Sequence, residues 1–222
     1  MEIKVFTVNL LQENTYVVHG SGSSCVVVDP GYLSSDDCRK VLDGMACLKP
    51  EAVLITHGHM DHIYGAADMQ RRFGIPVYMS AEDVKTMEYF DRVGRFGLPV
   101  ADRSFTVTPV ADGQTVEAAG LDFKVISTPG HSPGSVCWLM EKEGVMFTGD
   151  TLFAGAIGRT DLIYGSYDDE IRSIMEKLIW LDGGIRIFPG HGGPGTIGTE
   201  RVSNPFLEPF NEREEIPELN EL

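Results

Sequence analysis

Short apolar runs separated by turn-forming residues dominate the chain. Ile3-Lys-Val-Phe-Thr-Val8 alternates, Thr15-Tyr-Val-Val18 follows Gln-Glu-Asn, and Ser24-Cys-Val-Val-Val28 stops at Asp29-Pro-Gly31. Alternation and short β-branched runs closed by Asn, Pro or Gly predict strands. Gln12-Glu13-Asn14 is read as a turn. Cys38, Val41, Leu42, Met45 and Leu48 recur at helical spacing behind Ser34 or Ser35, so a helix is predicted as far as Leu48. A strand over Ala52–Thr56, a helix from His62 to Phe73, a strand over Pro76–Met79 and a helix from Ala81 to Val93 follow.

From Phe105 the period returns to two: Phe105–Val110, Gln114–Ala118, Leu121–Ser127, Ser135–Met140 and Val145–Thr148 predict five strands. An amphipathic helix over Tyr167–Leu181 and a strand over Ile185–Phe188 close the pattern. No linker or low-complexity stretch divides the chain, so residues 1–222 are expected to form a single domain of α/β (α+β) class. Sheets are layered with helices in it, and an acidic tail starts at about Glu208.

Composition narrows the functions. A net charge of -15 disfavours nucleic-acid backbones and anionic membrane surfaces as partners. No run of 18 apolar residues and no export signal at the N-terminus are visible, so a cytoplasmic location is expected. Cys25, Cys38, Cys47 and Cys137 lack paired spacing and are expected as buried free thiols. Glycine is abundant, 25 in 222 residues or about one in nine against about 7% in an average protein, which implies many tight turns.

The chemistry lies at strand ends. Four apolar strands run through Gly, Pro or Thr into metal-competent side chains: VLITHGHMDH (His57, His59, Asp61, His62), KVISTPGH (His131), GVMFTGD (Asp150) and IRIFPGH (His191). Five of the six histidines are spent this way; His19 is left as structural. Neutral imidazole and carboxylate are the usual nitrogen and oxygen ligands of zinc. In an extended backbone His57 and His59 face the same side and can share one ion, whereas Asp61 and His62 begin the next helix and point elsewhere. Seven ligands exceed one tetrahedral site and suit two ions sharing a carboxylate, with Asp150 able to bridge.

His57-Gly-His59-Met-Asp61-His62, followed by His131, Asp150 and His191, resembles the signature of the metallo-β-lactamase superfamily. The likeness spans about Ile3 to His191. It implies a four-layer αββα sandwich, two mixed β-sheets flanked by helices, with metals at one sheet edge. By that resemblance His57, His59 and His131 hold one ion, Asp61, His62 and His191 the other, and Asp150 bridges them.

TPGHSPGS, FTGDTLF, IGRTD, PGHG and ERVSNPFL are similar to the short bacterial glyoxalase II-like (hydroxyacylglutathione hydrolase-type) enzymes. The longer enzymes of that group add a helical domain that grips glutathione, and about thirty residues follow His191 here. The resemblance therefore implies a thioesterase acting on a small-molecule acyl substrate and leaves its carrier thiol open. Two divalent ions are expected, zinc first, iron or manganese next. A hydroxide bridging them is the nucleophile, and Asp61 and Asp150 serve it. Arg159 is a candidate for a substrate carboxylate or for an ion pair with Asp161. Phe153 and Ile157 are candidates for apolar substrate contacts or for core packing. The alternatives are a mononuclear-iron persulfide dioxygenase, a lactonase or β-lactamase, and a metal-binding scaffold without turnover.

Overall fold

The computed structural model describes residues 1–93 and 99–210. The glycines at 94 and 97 and most of the acidic tail lie outside the described residues. β1 (Glu2–Val8), β2 (Glu13–His19), β3 (Ser24–Val28), β4 (Lys49–Leu54), β5 (Val77–Ser80) and β6 (Val107–Val110) pair in sequence order. The first two pairings are antiparallel and the rest parallel. The second sheet runs β14-β13-β10-β9-β8-β7. It comprises β7 (Thr115–Ala118), β8 (Leu121–Ser127), β9 (Val136–Met140), β10 (Val145–Gly149), β13 (Arg186–Pro189) and β14 (Gly195–Thr196). Its single parallel pairing is β10 with β13, in register from Val145↔Arg186 to Phe147↔Phe188. A short hairpin, β11 (Leu152–Phe153) and β12 (Ala156–Ile157), stands beside it.

Strand alternation sorts the apolar residues into three buried layers. Tyr16, Val18, Val26, Val28, Ala52 and Leu54 of the first sheet meet Phe123, Val125, Val136, Trp138 and Phe147 of the second. The opposite faces carry Val17, Val27 and Val53 against helices α1 (Ser35–Met45) and α3 (Ala66–Phe73), and Cys137, Leu139 and Met146 against the segment after α5 (Tyr167–Ser173). Because both faces of β3 and β9 are covered, those strands read as unbroken apolar runs rather than alternating ones. The result is the αββα sandwich that the resemblance implies.

Several element limits depart from the sequence reading, each for a local reason. Glu13 and Asn14 belong to β2 and are buried, not a turn. α1 ends at Met45 because Ala46 turns to φ 50° and its N–H bonds Asp43 O. The predicted helix from His62 to Phe73 is two: α2 (Met60–Ile63) and α3 are parted where the Gly65 N–H leaves the helical ladder for Pro30 O at 2.6 Å. The helix from Ala81 begins as a 3₁₀ turn, with α4 spanning Val84–Val93. The last long helix changes to a wider π turn at Ile174–Leu178. Cys25 and Cys137 are buried and Cys38 is half-buried, but Cys47 is exposed because it lies beyond the end of α1. Among the described residues no helix is long and apolar enough to cross a membrane.

β4, β8, β10 and β13 all end at one edge, where the sheets are stitched together. Val136 N–H donates to Thr56 O at 2.9 Å, Asn14 N–H to Gly190 O at 2.8 Å, and Gly190 N–H to Gly149 O at 2.8 Å. The first two bonds cross between the sheets and the third ties β13 to β10 within the second, which together fix the strand ends relative to one another.

Candidate metal centre

Each predicted ligand stands on the segment that leaves one of those strand ends. His57 and His59 follow β4, Asp61 and His62 occupy α2, His131 follows β8, Asp150 follows β10 and His191 follows β13. Close packing explains two of the glycines that precede them, and a left-handed backbone adds a second reason at one of the two. A Cβ on Gly190 would strike the Asp150 carboxylate and the His62 ring, and one on Gly149, at φ 50°, would strike Thr56. Any larger residue at either position pushes the ligand loops apart.

The structure brings all seven side chains together. His131 Nε2 lies 2.8 Å from His59 Nδ1 and 3.2 Å from His57 Nε2. Across the site His191 Nε2 is 3.3 Å and His62 Nε2 3.7 Å from Asp61 Oδ2. Asp150 faces both groups: its Oδ1 is 3.5 Å from His62, and its Oδ2 is 3.5 Å from His131 and 3.6 Å from His191. His57 is also within ligand reach of His62 and Asp150, so the two groups share a wall.

The imidazoles are held by their outer nitrogens. His131 Nδ1 donates to Arg159 O at 2.8 Å and His191 Nδ1 to Leu11 O at 3.1 Å. Thr56 gives its own proton to Asp29 Oδ2 at 2.6 Å and can therefore accept from His57 Nδ1, 3.1 Å away. His62 Nδ1 donates to the same Asp29 oxygen at 2.9 Å. With the outer nitrogens protonated, the inner nitrogens of His57 and His131 present bare lone pairs to each other. Only a cation or a proton relieves that arrangement. His62 Nε2 and Asp150 Oδ1 are buried and make no hydrogen bond, which leaves both free to coordinate. This donor set, nitrogen and oxygen with fixed outer shells, fits divalent metal ions.

Electrostatics divide the site. Burial, then the neighbouring imidazoles, push His57 and His59 far below the ordinary histidine range, so both are neutral. Burial also opposes charge on His62, but Asp150, Asp61 and Asp29 outweigh it and raise that ring's proton affinity well above normal. His191 is raised in the same way, against its burial, by Asp61 and Asp150. Burial would raise Asp61, yet His62 and His191 draw it below the usual carboxylate range.

Sequence reasoning did not identify the residues behind the ligands. Asp29, at φ 45°, accepts from Thr56 N–H as well as from the Thr56 hydroxyl and His62. It ends an apolar strand just as Asp150 does, so the signal was present and was read only as a turn. Asp83 is fully buried and collects Gly58 N–H at 2.5 Å, Ser132 Oγ at 2.8 Å and Gly134 N–H at 2.7 Å, tying the His57–His59 loop to the His131 loop. Glu170 accepts the His131 N–H at 2.8 Å, and burial beside Asp150 pushes it up to about 8. Buried Glu13 is likewise raised, by burial and then by the charges of Asp29 and Asp61. Glu170 stands on α5 and Asp83, three residues past β5, sits in the turn that opens the helix predicted from Ala81, so both read as ordinary helical acids.

A cavity of about 800 Å³ opens over the ligands; Asp61, His59, His131, Asp150 and His191 form its floor. Phe153 and Ile157 line its wall, as does Arg159. The Arg159 guanidinium is closed on Asp161 through two 2.8 Å bonds, the second of its two sequence readings. Its backbone carbonyl, by contrast, does hold His131.

The chain is similar to known proteins over nearly all of its length. The sequence pattern of the metallo-beta-lactamase superfamily matches residues 8–191. The hydroxyacylglutathione hydrolase GloC of Haemophilus influenzae is 35% identical across 93% of this chain and 98% of its own. Among solved structures, the B3 metallo-beta-lactamase BLEG-1 superposes with a TM-score of 0.84 at 32% identity, covering 93% of this chain and 99% of the other. TTHA1623, solved in a di-iron-bound form, gives 0.81 at 34% identity, covering 92% and 100%. With its two sheets, its ordered ligand set and these relatives, the chain belongs to the metallo-beta-lactamase superfamily.

Proposed function

We propose that the protein is a two-metal hydrolase of thioesters, of the glyoxalase II-like kind. The observation that carries this reading is the position of Asp150, whose two oxygens address the three-histidine group and the Asp61–His62–His191 group at once. His57, His59 and His131 would hold one ion, Asp61, His62 and His191 the other, and Asp150 both. Bound there, two divalent ions supply a Lewis acid for a carbonyl oxygen and a water acidified to a pKa of about 7. Zinc suits the ligands, and iron or manganese suits them as well.

The protein's own part is placement. Asp61 stands on the cavity floor with its carboxylate held ionised by His62 and His191, able to ligate a cation or to accept a hydrogen bond that orients an attacking water. Backbone carbonyls of Arg159 and Leu11 fix the tautomers of His131 and His191, so inner nitrogens remain ligands. Asp83 and Asp29 hold the loops in register, which limits reorganisation as charge develops. The likeness to GloC favours a thioester over a lactam or lactone, and the complete second ligand group favours two ions over the single iron of a persulfide dioxygenase.

The test is hydrolysis of a thioester panel that includes S-lactoylglutathione by metal-loaded protein, followed by thiol release. Turnover of at least one member, lost in His131→Ala, is expected. Oxygen uptake on glutathione persulfide with one iron per chain, and no thioester cleaved, would sink the reading.

A further inference from the structure

The wall of the cavity is unlike its floor. Above the ligands it is formed by Leu11, Met60, Phe153, Ala154, Ile157 and Leu162. Arg159 is the one lysine or arginine among the described lining residues, and its fork is taken by Asp161. Glutathione and similar carriers bring carboxylates that need such a partner. The chain as a whole, at -15, also repels polyanionic thiols at long range.

Leu11 occupies a particular place on this wall. It lies in the β1–β2 turn, 46% exposed as a residue, and its carbonyl holds His191 Nδ1. Asn9 pins that turn: its Nδ2 donates to Gly31 O at 2.9 Å and to Asp61 O at 3.1 Å, and its Oδ1 accepts the Leu11 N–H at 2.8 Å. The apolar side chain is thus carried by a backbone anchored to both ends of the second ligand group.

Resting on the thioesterase reading, we propose that the substrate arm lying on this wall is uncharged and apolar. Aliphatic or aromatic acyl thioesters of neutral thiols are the preferred class, and Leu11 is a residue that sets the preference. The reaction is hydrolysis: water adds its oxygen to the acyl carbon, the carbon–sulfur bond breaks, and a carboxylic acid and a thiol are released. No oxidant or reductant is needed.

The experiment compares kcat/KM of the zinc-reconstituted full chain for N-acetylcysteamine thioesters, from acetyl to hexanoyl, with that for S-lactoylglutathione. Each added methylene that reaches the wall is expected to raise kcat/KM roughly fourfold, and the hexanoyl ester should exceed the glutathione conjugate. Leu11→Arg keeps the backbone bond to His191 and supplies a cation, so it should move the glutathione-to-neutral ratio up by about tenfold. A flat chain-length series, or S-lactoylglutathione as the best substrate, overturns the inference while leaving the thioesterase reading intact. An unmoved ratio in Leu11→Arg removes Leu11 from the assignment. Turnover of no thioester at all overturns the thioesterase reading and the inference with it.

Discussion

The two halves of the centre are built from similar side chains yet are prepared differently. His57, His59 and His131 form a buried, all-nitrogen pocket in which burial keeps His57 and His59 neutral. Asp61, His62 and His191 mix carboxylate with imidazole, and the acids raise the proton affinity of both rings. In the first half His57 and His59 are neutral rings and ready for a cation. In the second, a cation must displace protons. The sequence distance between ligands says nothing of this. Differences in burial and acid count produce it.

Removing the shared carboxylate attacks both halves at once. Asp150→Ala should lower kcat/KM by about a thousandfold or more, the scale of losing a group that acts as part of a unit, and should weaken both ions in an equilibrium titration. If one half kept its affinity unchanged, Asp150 would belong to the other half alone. Next in size, His57→Ala and His191→Ala should each reduce the metal content from two ions to one. The His57 variant should keep an ion in the carboxylate-bearing half, and the His191 variant an ion among the three histidines. Identical residual affinities and spectra in the two variants, measured with cobalt as probe, would show that the halves are not distinct.

The outer partners test the same division more gently. Asp29→Asn disturbs His62 directly and His57 through Thr56, whereas Asp83→Asn disturbs the His57–His59 and His131 loops. Each should cost about 10–100-fold in metal affinity, with Asp83→Asn confined to the three-histidine half in a competition assay against a chelator. Equal weakening of both halves by Asp83→Asn would contradict the assignment. The smallest effect is the order of loss on acidification. His62 and His191 have raised proton affinity and so bind protons at a higher pH than His57 and His59, whose affinity is lowered. As pH falls, the carboxylate-bearing half should release its ion first. Release from the three-histidine half first would reverse the account.

The ligands were legible because each follows an apolar strand end, and a strand end is a local pattern. His57, His59, His131, Asp150 and His191 could be marked by that rule, and the layered sheets followed from alternation. Asp29 obeyed the same rule and was missed because Asp-Pro-Gly also spells a turn; it turns the chain at φ 45° and braces Thr56 and His62 as well. Asp83 and Glu170 were illegible for a different reason. The loop donors they tie in lie 25 to 51 residues away for Asp83 and 39 for Glu170, and one-dimensional periodicity carries no such information. Gly65 shows the same limit on element bounds: a tertiary bond to Pro30 O broke a helix whose own pattern continued. Arg159 was chosen for its fork, but its backbone carbonyl is the part that meets a ligand.

The central claim is a centre of two unequal halves joined by Asp150. Its most direct measurement is elemental analysis of the metal-reconstituted full chain beside His191→Ala. Two ions per parent chain and one per variant chain are predicted. One ion in both proteins would contradict it.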